Sequence, residues 1–117
     1  MATSVGHDSH NVIAAGTNDK DIYTAIKEIE RLQGGLAVVA DGNVLGSLQL
    51  SIGGLMSVEP LETVSEKLQS LKNIAAELGA TLPDTFATLS FMALPVIPEL
   101  RLTDLGLVDV TEFKLVE

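Results

Sequence analysis

Leu36-Ala37-Val38-Val39-Ala40-Asp41-Gly42-Asn43-Val44-Leu45-Gly46-Ser47-Leu48-Gln49-Leu50 is the stretch that decides the fold. Leu36 to Ala40 is a continuous apolar run of the length of one buried strand. Asp41-Gly42-Asn43 is a tight-turn signal, because Asp and Gly accept the positive φ that a short hairpin needs. The chain therefore turns straight back along Val44 to Leu50. In this return strand Leu48 and Leu50 alternate with Ser47, Gln49 and Ser51, so one of its faces is polar or lies near an edge.

Upstream of the hairpin, Ile22, Ala25, Ile26, Ile29 and Leu32 recur at steps of three and four. They predict a helix whose apolar stripe faces a core, with Lys27, Glu28, Glu30 and Arg31 outward. Asn18 is a suitable N-cap, Asp19 and Asp21 place negative charge on the first turn, and Gly34-Gly35 end the helix. Before it, Asn11-Val12-Ile13-Ala14-Ala15-Gly16 reads as a short buried strand. Downstream, Ile52-Gly53-Gly54-Leu55-Met56-Ser57 is an apolar connection. Its paired glycines serve a turn more readily than a ligand, since no phosphate-loop lysine follows.

A second helix begins at Pro60 and carries Leu61, Val64, Leu68, Leu71, Ala75 and Leu78 on one stripe before Gly79 stops it. It is too short for a coiled coil and is expected to pack on a sheet. Asp84 to Leu94 is a mostly apolar run that fits buried strand and buried helix alike; its aromatic and threonine content and the bracketing Pro83 and Pro95 favour a strand. Pro95-Val96-Ile97-Pro98 is expected to be extended. Glu99 to Leu102 alternates as a half-exposed strand, Thr103-Asp104-Leu105-Gly106 is a turn, and Val108 to Val116 supplies closing strands. The expectation is a single domain over residues 1–117, of α+β class, a two-layer α/β arrangement with a mixed sheet of about five to seven strands and two main helices.

The 117 residues carry a formal net charge of −9. Nucleic acid and anionic membrane are poor partners for such a chain, which lacks clustered Lys and Arg. There is no cysteine, hence no disulfide framework or thiolate metal site, which suits a reducing cytoplasm. Met1-Ala2-Thr3-Ser4-Val5 has neither a basic start nor an apolar run, so neither a signal peptide nor a membrane span is expected. The mean hydropathy of +0.34 is high for so acidic a chain. Some apolar surface is therefore meant for another domain or subunit.

Chemistry concentrates in Gly6-His7-Asp8-Ser9-His10-Asn11, which holds both histidines. An imidazole can titrate near neutral pH, bind a metal or relay a proton, and a neighbouring carboxylate fixes its tautomer. The same Asp, Ser and Asn also suit a turn before a strand, where their side chains bond their own backbone. His7, Asp8, His10 and Asn11 are the candidate site residues. A Ser-His-Asp triad is set aside, because adjacent residues rarely point at one another and no oxyanion-hole motif accompanies them. Two histidines fall short of the three ligands a catalytic metal usually takes. There is no dinucleotide fingerprint, no phosphate loop, and no His-x-Glu with Cys-x-x-Cys.

His7-Asp8-Ser9-His10-Asn11 before an apolar strand resembles the start of the carboxy-terminal domain of the microbial adenine deaminases of the amidohydrolase superfamily. Four further stretches fit in order: Gly34-Gly35, Gly54-Leu55-Met56-Ser57, Ser90 to Pro98, and Leu102-Thr103-Asp104-Leu105-Gly106-Leu107-Val108-Asp109. The resemblance runs from about Ser4 to the end. Met92 stands where leucine, and Leu105 where a basic residue, would be commoner.

The resemblance implies a fragment. In that family a binuclear Mn or Fe site lies in an amino-terminal TIM barrel and activates water against adenine, giving hypoxanthine and ammonia. None of those ligands is in this chain, which itself would require no cofactor. Its implied partner is the catalytic barrel, with adenine as the parent's substrate, and it would act as a cap or subunit-contact domain that brings His7, Asp8, His10 and Asn11 toward the active site. A homo-oligomer is compatible with this. The competing reading is a non-catalytic oligomerisation or small-molecule-binding module.

Overall fold

The hairpin expected at Asp41-Gly42 forms as read. In the computed structural model, which describes residues 1–116, strand β3 (Gly35–Ala40) returns as β4 (Asn43–Gln49). Asp41 (φ 53°) and Gly42 (φ 76°) occupy the turn, both in the left-handed region that a two-residue hairpin loop uses. The preceding elements are β1 (Ala2–Thr3), β2 (Ile13–Ala14) and helix α1 (Asp19–Leu32). After the hairpin come helices α2 (Leu61–Glu77) and α3 (Thr85–Met92), then β5 (Leu100–Thr103), β6 (Gly106–Asp109) and β7 (Lys114–Leu115).

Seven strands are present among the described residues, but not in one mixed sheet. They form two antiparallel sheets, one of four strands in the order β2-β1-β3-β4 and one of three in the order β5-β6-β7. The α+β class stands, and the mixed sheet is corrected. The reason lies in β1. Strands β2 and β3 run the same way and are joined through α1, the connection that would make a parallel pair. Ala2 and Thr3 slot between them and pair antiparallel with both. The strand expected over residues 11–16 is accordingly reduced to Ile13–Ala14.

Layering differs from expectation too. Leu36 and Val38 point to one face of β3 and pack with Leu48, Leu50, Leu71, Ala75 and Phe86. Ala37 and Val39 point to the other and pack with Ala2, Ala25 and Ile29. Helices thus cover both faces, α1 on one and α2 with α3 on the other. That makes three layers rather than two and explains why β3 is apolar throughout instead of alternating.

In α1 the Asn18 side chain accepts the Asp21 backbone N–H (2.9 Å), and Gln33 closes the helix in the left-handed conformation. Its buried residues are Ala25, Glu28, Ile29 and Leu32, whereas Ile26 is 38 % exposed, so Glu28 and Ile26 exchange their expected sides. Glu28 is tolerated inside because Arg31 donates two hydrogen bonds to its carboxylate (2.7 Å each). In α2 the stripe is buried at Leu71 and Ala75 but frays outward at Leu61 and Leu78.

Residues 84–94 are not a strand. They hold α3, which Asp84 caps by accepting the Ala87 backbone N–H (3.4 Å), and Phe86 and Ser90, four apart, are its buried pair. The prolines read as strand brackets are equally the punctuation of a short helix. Residues 95–99 run through a turn and bends rather than an extended segment, and they carry the chain away from the first sheet into the second.

Candidate functional site

Loop 6–11 hangs at the edge of the four-stranded sheet because β1 and β2, which flank it, pair with each other. Across from it lie the end of α3 with its following turn, and beyond that the β5-β6-β7 sheet. Between these three walls opens a cleft of about 430 Å³, within the size range of small-molecule sites. His7, Asp8, Ser9 and Asn11 form its polar wall. Thr103, Asp104, Phe113 and Lys114 face it from the second sheet and its turns.

The structure separates the two histidines. The His7 ring lies against Phe91 of α3, centroids 4.4 Å apart and planes at 40°, so the imidazole is held against the helix while still reaching the cleft. His10 takes φ 53°, and its Nδ1 accepts the Gly6 backbone N–H (3.2 Å). It is not part of the cleft wall. The turn reading therefore describes His10, which bonds its own loop. Residues 7–9 form a bend, and the side chains of His7, Asp8, Ser9 and Asn11 are exposed and make no hydrogen bond to another described residue. Four polar side chains on a concave wall can bind, orient or exchange a proton with a small molecule that enters.

Phe91, the partner of His7, and the facing wall at Thr103, Asp104, Phe113 and Lys114 were not legible as site residues. Phe91 sits in an apolar run with no local sign that its ring meets residue 7. The other four come from a sheet whose placement no local pattern gives. Ionisations are shifted at the Met1 amino group, which burial lowers, and on α1. The Glu28 carboxyl is held below its ordinary value first by Arg31 and then by the Ser47 hydroxyl, against the opposing effect of burial. Asp21 is lowered first by the Asn18 side chain and next by the Gly42 N–H.

Among the described residues no three of His, Cys, Asp and Glu gather as a metal site. In loop 6–11 the His10 Nδ1 is already an acceptor from Gly6. No described helix is long and apolar enough to cross a membrane.

A family model described as "Adenine deaminase C-terminal domain" matches residues 1–114. The chain is 63 % identical over 116 residues to an adenine deaminase of Dehalococcoides mccartyi, covering 99 % of this chain and 20 % of that protein. It is 56 % identical over 117 residues to adenine deaminase 2 of Carboxydothermus hydrogenoformans, and 52 % identical over 118 residues to an adenine deaminase of Halalkalibacterium halodurans. These matches cover 99 % and 100 % of this chain and 20 % of each relative. The chain thus spans about a fifth of the length of the curated relatives it matches. With a match over nearly every residue, this chain belongs to the adenine deaminase C-terminal domain family.

Proposed function

We propose that this chain is the carboxy-terminal domain of a metal-dependent adenine deaminase. The parent converts adenine and water to hypoxanthine and ammonia in purine salvage, in the cytoplasm. Mn or Fe is bound by the catalytic barrel, an amidohydrolase fold outside this chain. This domain's own residues do not fit a metal, and its part in the reaction is to cap the catalytic portion and present loop 6–11 to it.

One observation carries this reading: His7, Asp8 and Asn11 share a cleft wall with their polar atoms unspent on the protein, while His10 is spent holding the loop. His7 is the group that exchanges or steadies a proton near the substrate, Asp8 adds a carboxylate to the same wall, and Asn11 offers an amide donor and acceptor. His10 positions the loop. Phe91 keeps His7 from folding away.

The test is a pair of variants in the full-length enzyme. His7→Asn is expected to lower kcat at least about tenfold with the melting temperature and bound metal unchanged. His10→Asn keeps a residue that tolerates positive φ and is expected to act weakly on turnover. Asp8→Asn should follow His7→Asn more mildly. Full activity in His7→Asn, or a loss only in proportion to lost folded protein, returns the cluster to a plain turn. A reading frame that does not continue upstream into a barrel with a His-x-His segment after its first strand favours the binding-module reading.

A further inference from the structure

The β5-β6-β7 sheet is built from strands of four, four and two residues. Its strands pack extensively only on one another, with no broad contact to any helix or to the four-stranded sheet. The space where such packing would lie is the cleft. A meander this small needs a partner for its apolar side chains, because a few short strands are marginal without one. Yet it is apolar on both faces. Leu100, Leu102 and Leu107 sit toward one side by strand alternation and the register Leu102↔Leu107, while Val108 and Leu115 pair on the other. Leu102, Leu105 and Phe113 are 79 %, 78 % and 83 % exposed. Isolated exposed leucines are ordinary; three nearly bare large side chains around one small sheet mark a surface that is covered in use.

We infer that this sheet is the seat on which the catalytic portion of the parent polypeptide rests, through an apolar patch centred on Leu102, Leu105 and Phe113. The inference rests on the deaminase reading above. The occupant follows from length and covalency. The relatives are about five times as long as this chain, which covers 20 % of them, so most of the polypeptide lies outside it. A covalently attached neighbour acts at an effective concentration on the order of millimolar, which a free second copy does not match. Asp104 is exposed beside the patch, whereas Glu112 is already paired with Lys114 (3.8 Å), so the covering surface is apolar at its centre with a basic side chain opposite Asp104. Leu102, Leu105 and Phe113 belong to the cleft wall that faces loop 6–11, so a catalytic portion seated here occupies that side of the cleft.

The measurement is hydrogen exchange of the segment 99–116 in the full-length enzyme and in the 117-residue chain, with adenine turnover recorded on the same preparation. The expected result is exchange at least ~10-fold slower in the full-length enzyme. Leu105→Lys should abolish that protection without altering exchange of the β3 segment, and Leu102→Lys is the second variant should the first misfold. Equal exchange in both forms overturns the inference. So does protection in the 117-residue chain alone that rises with concentration and accompanies a dimer mass, since the seat is then filled by a second copy. Turnover without added protection refutes the seat and leaves the deaminase reading intact; protection without turnover does the reverse.

Discussion

Ser4 is one hydroxyl serving two separate loops. Its Oγ accepts the Gly35 backbone N–H (2.8 Å) and donates to the Gly54 carbonyl (2.6 Å). That geometry is open only because Gly34 and Gly54 lie backbone to backbone: a Cβ on Gly34 would sit 2.3 Å from the Gly54 Cα, at φ 115°. The paired glycines at 53 and 54 therefore have different uses. Gly53 turns in open space, and Gly54 lets one backbone approach another. Gly34→Ala is expected to destabilise the chain by about 3–5 kcal/mol, combining backbone strain with overpacking. Gly53→Ala should cost about 1–2 kcal/mol, for its left-handed φ alone. Urea unfolding of the two variants side by side decides it, and equal costs would dismiss the close approach. The sequence showed that glycines were needed at these places. It could not show that they meet each other, because the contact joins segments that no local pattern connects.

At the scale of elements, the first turn of α1 is tied to the β3-β4 turn. The Asp21 carboxylate accepts the backbone N–H groups of Gly42 (2.6 Å) and Asp41 (3.2 Å) while bonded to the Asn18 amide (2.9 Å). Read locally, Asp21 is only a negative charge well placed for the helix dipole. These bonds hold its carboxyl below the ordinary 3.8, so its contribution is fully present above that value and is lost as pH falls through the lower folded value. Glu28, lowered chiefly by Arg31, has the same sign. Melting curves between about pH 2 and pH 6 should show Asp21→Asn less stable than the natural chain at the upper end, the gap closing in acid. A gap constant with pH would show that Asp21 does not act through its charge. The hairpin and both long helices were legible because each is set by local periodicity and turn chemistry. Residues 84–94 were misread because eleven mostly apolar residues fit strand and helix alike. The deciding features, the Asp84 cap and the Phe86–Ser90 spacing, acquire meaning only once α3 is laid on the core.

For the molecule as a whole, the polar wall of the candidate site was legible from residue types alone, while the opposite wall depended on two sheets whose relation no local signal carries. The high mean hydropathy did announce unspent apolar surface, and the second sheet holds much of it. The position of β1 has a consequence for the order of folding. The β3-β4 hairpin and α1 are assembled from near neighbours in sequence, whereas β1 must be threaded between β2 and β3, and Ser4 reaches across 31 and 50 residues for its partners. Closing such spans loses chain entropy before any contact repays it. The hairpin with its helix is then the nucleus and the insertion of β1 the final locking step. Ser4→Ala should consequently quicken unfolding and leave the folding rate nearly untouched, a φ-value near zero, while core substitutions in β3 slow folding. Stopped-flow chevrons would read this directly, and a slowed folding limb in Ser4→Ala would place the first strand in the nucleus instead. On this expectation β1 is the latch of the domain: the same insertion that holds loop 6–11 in place would be the last to form and the first to let go.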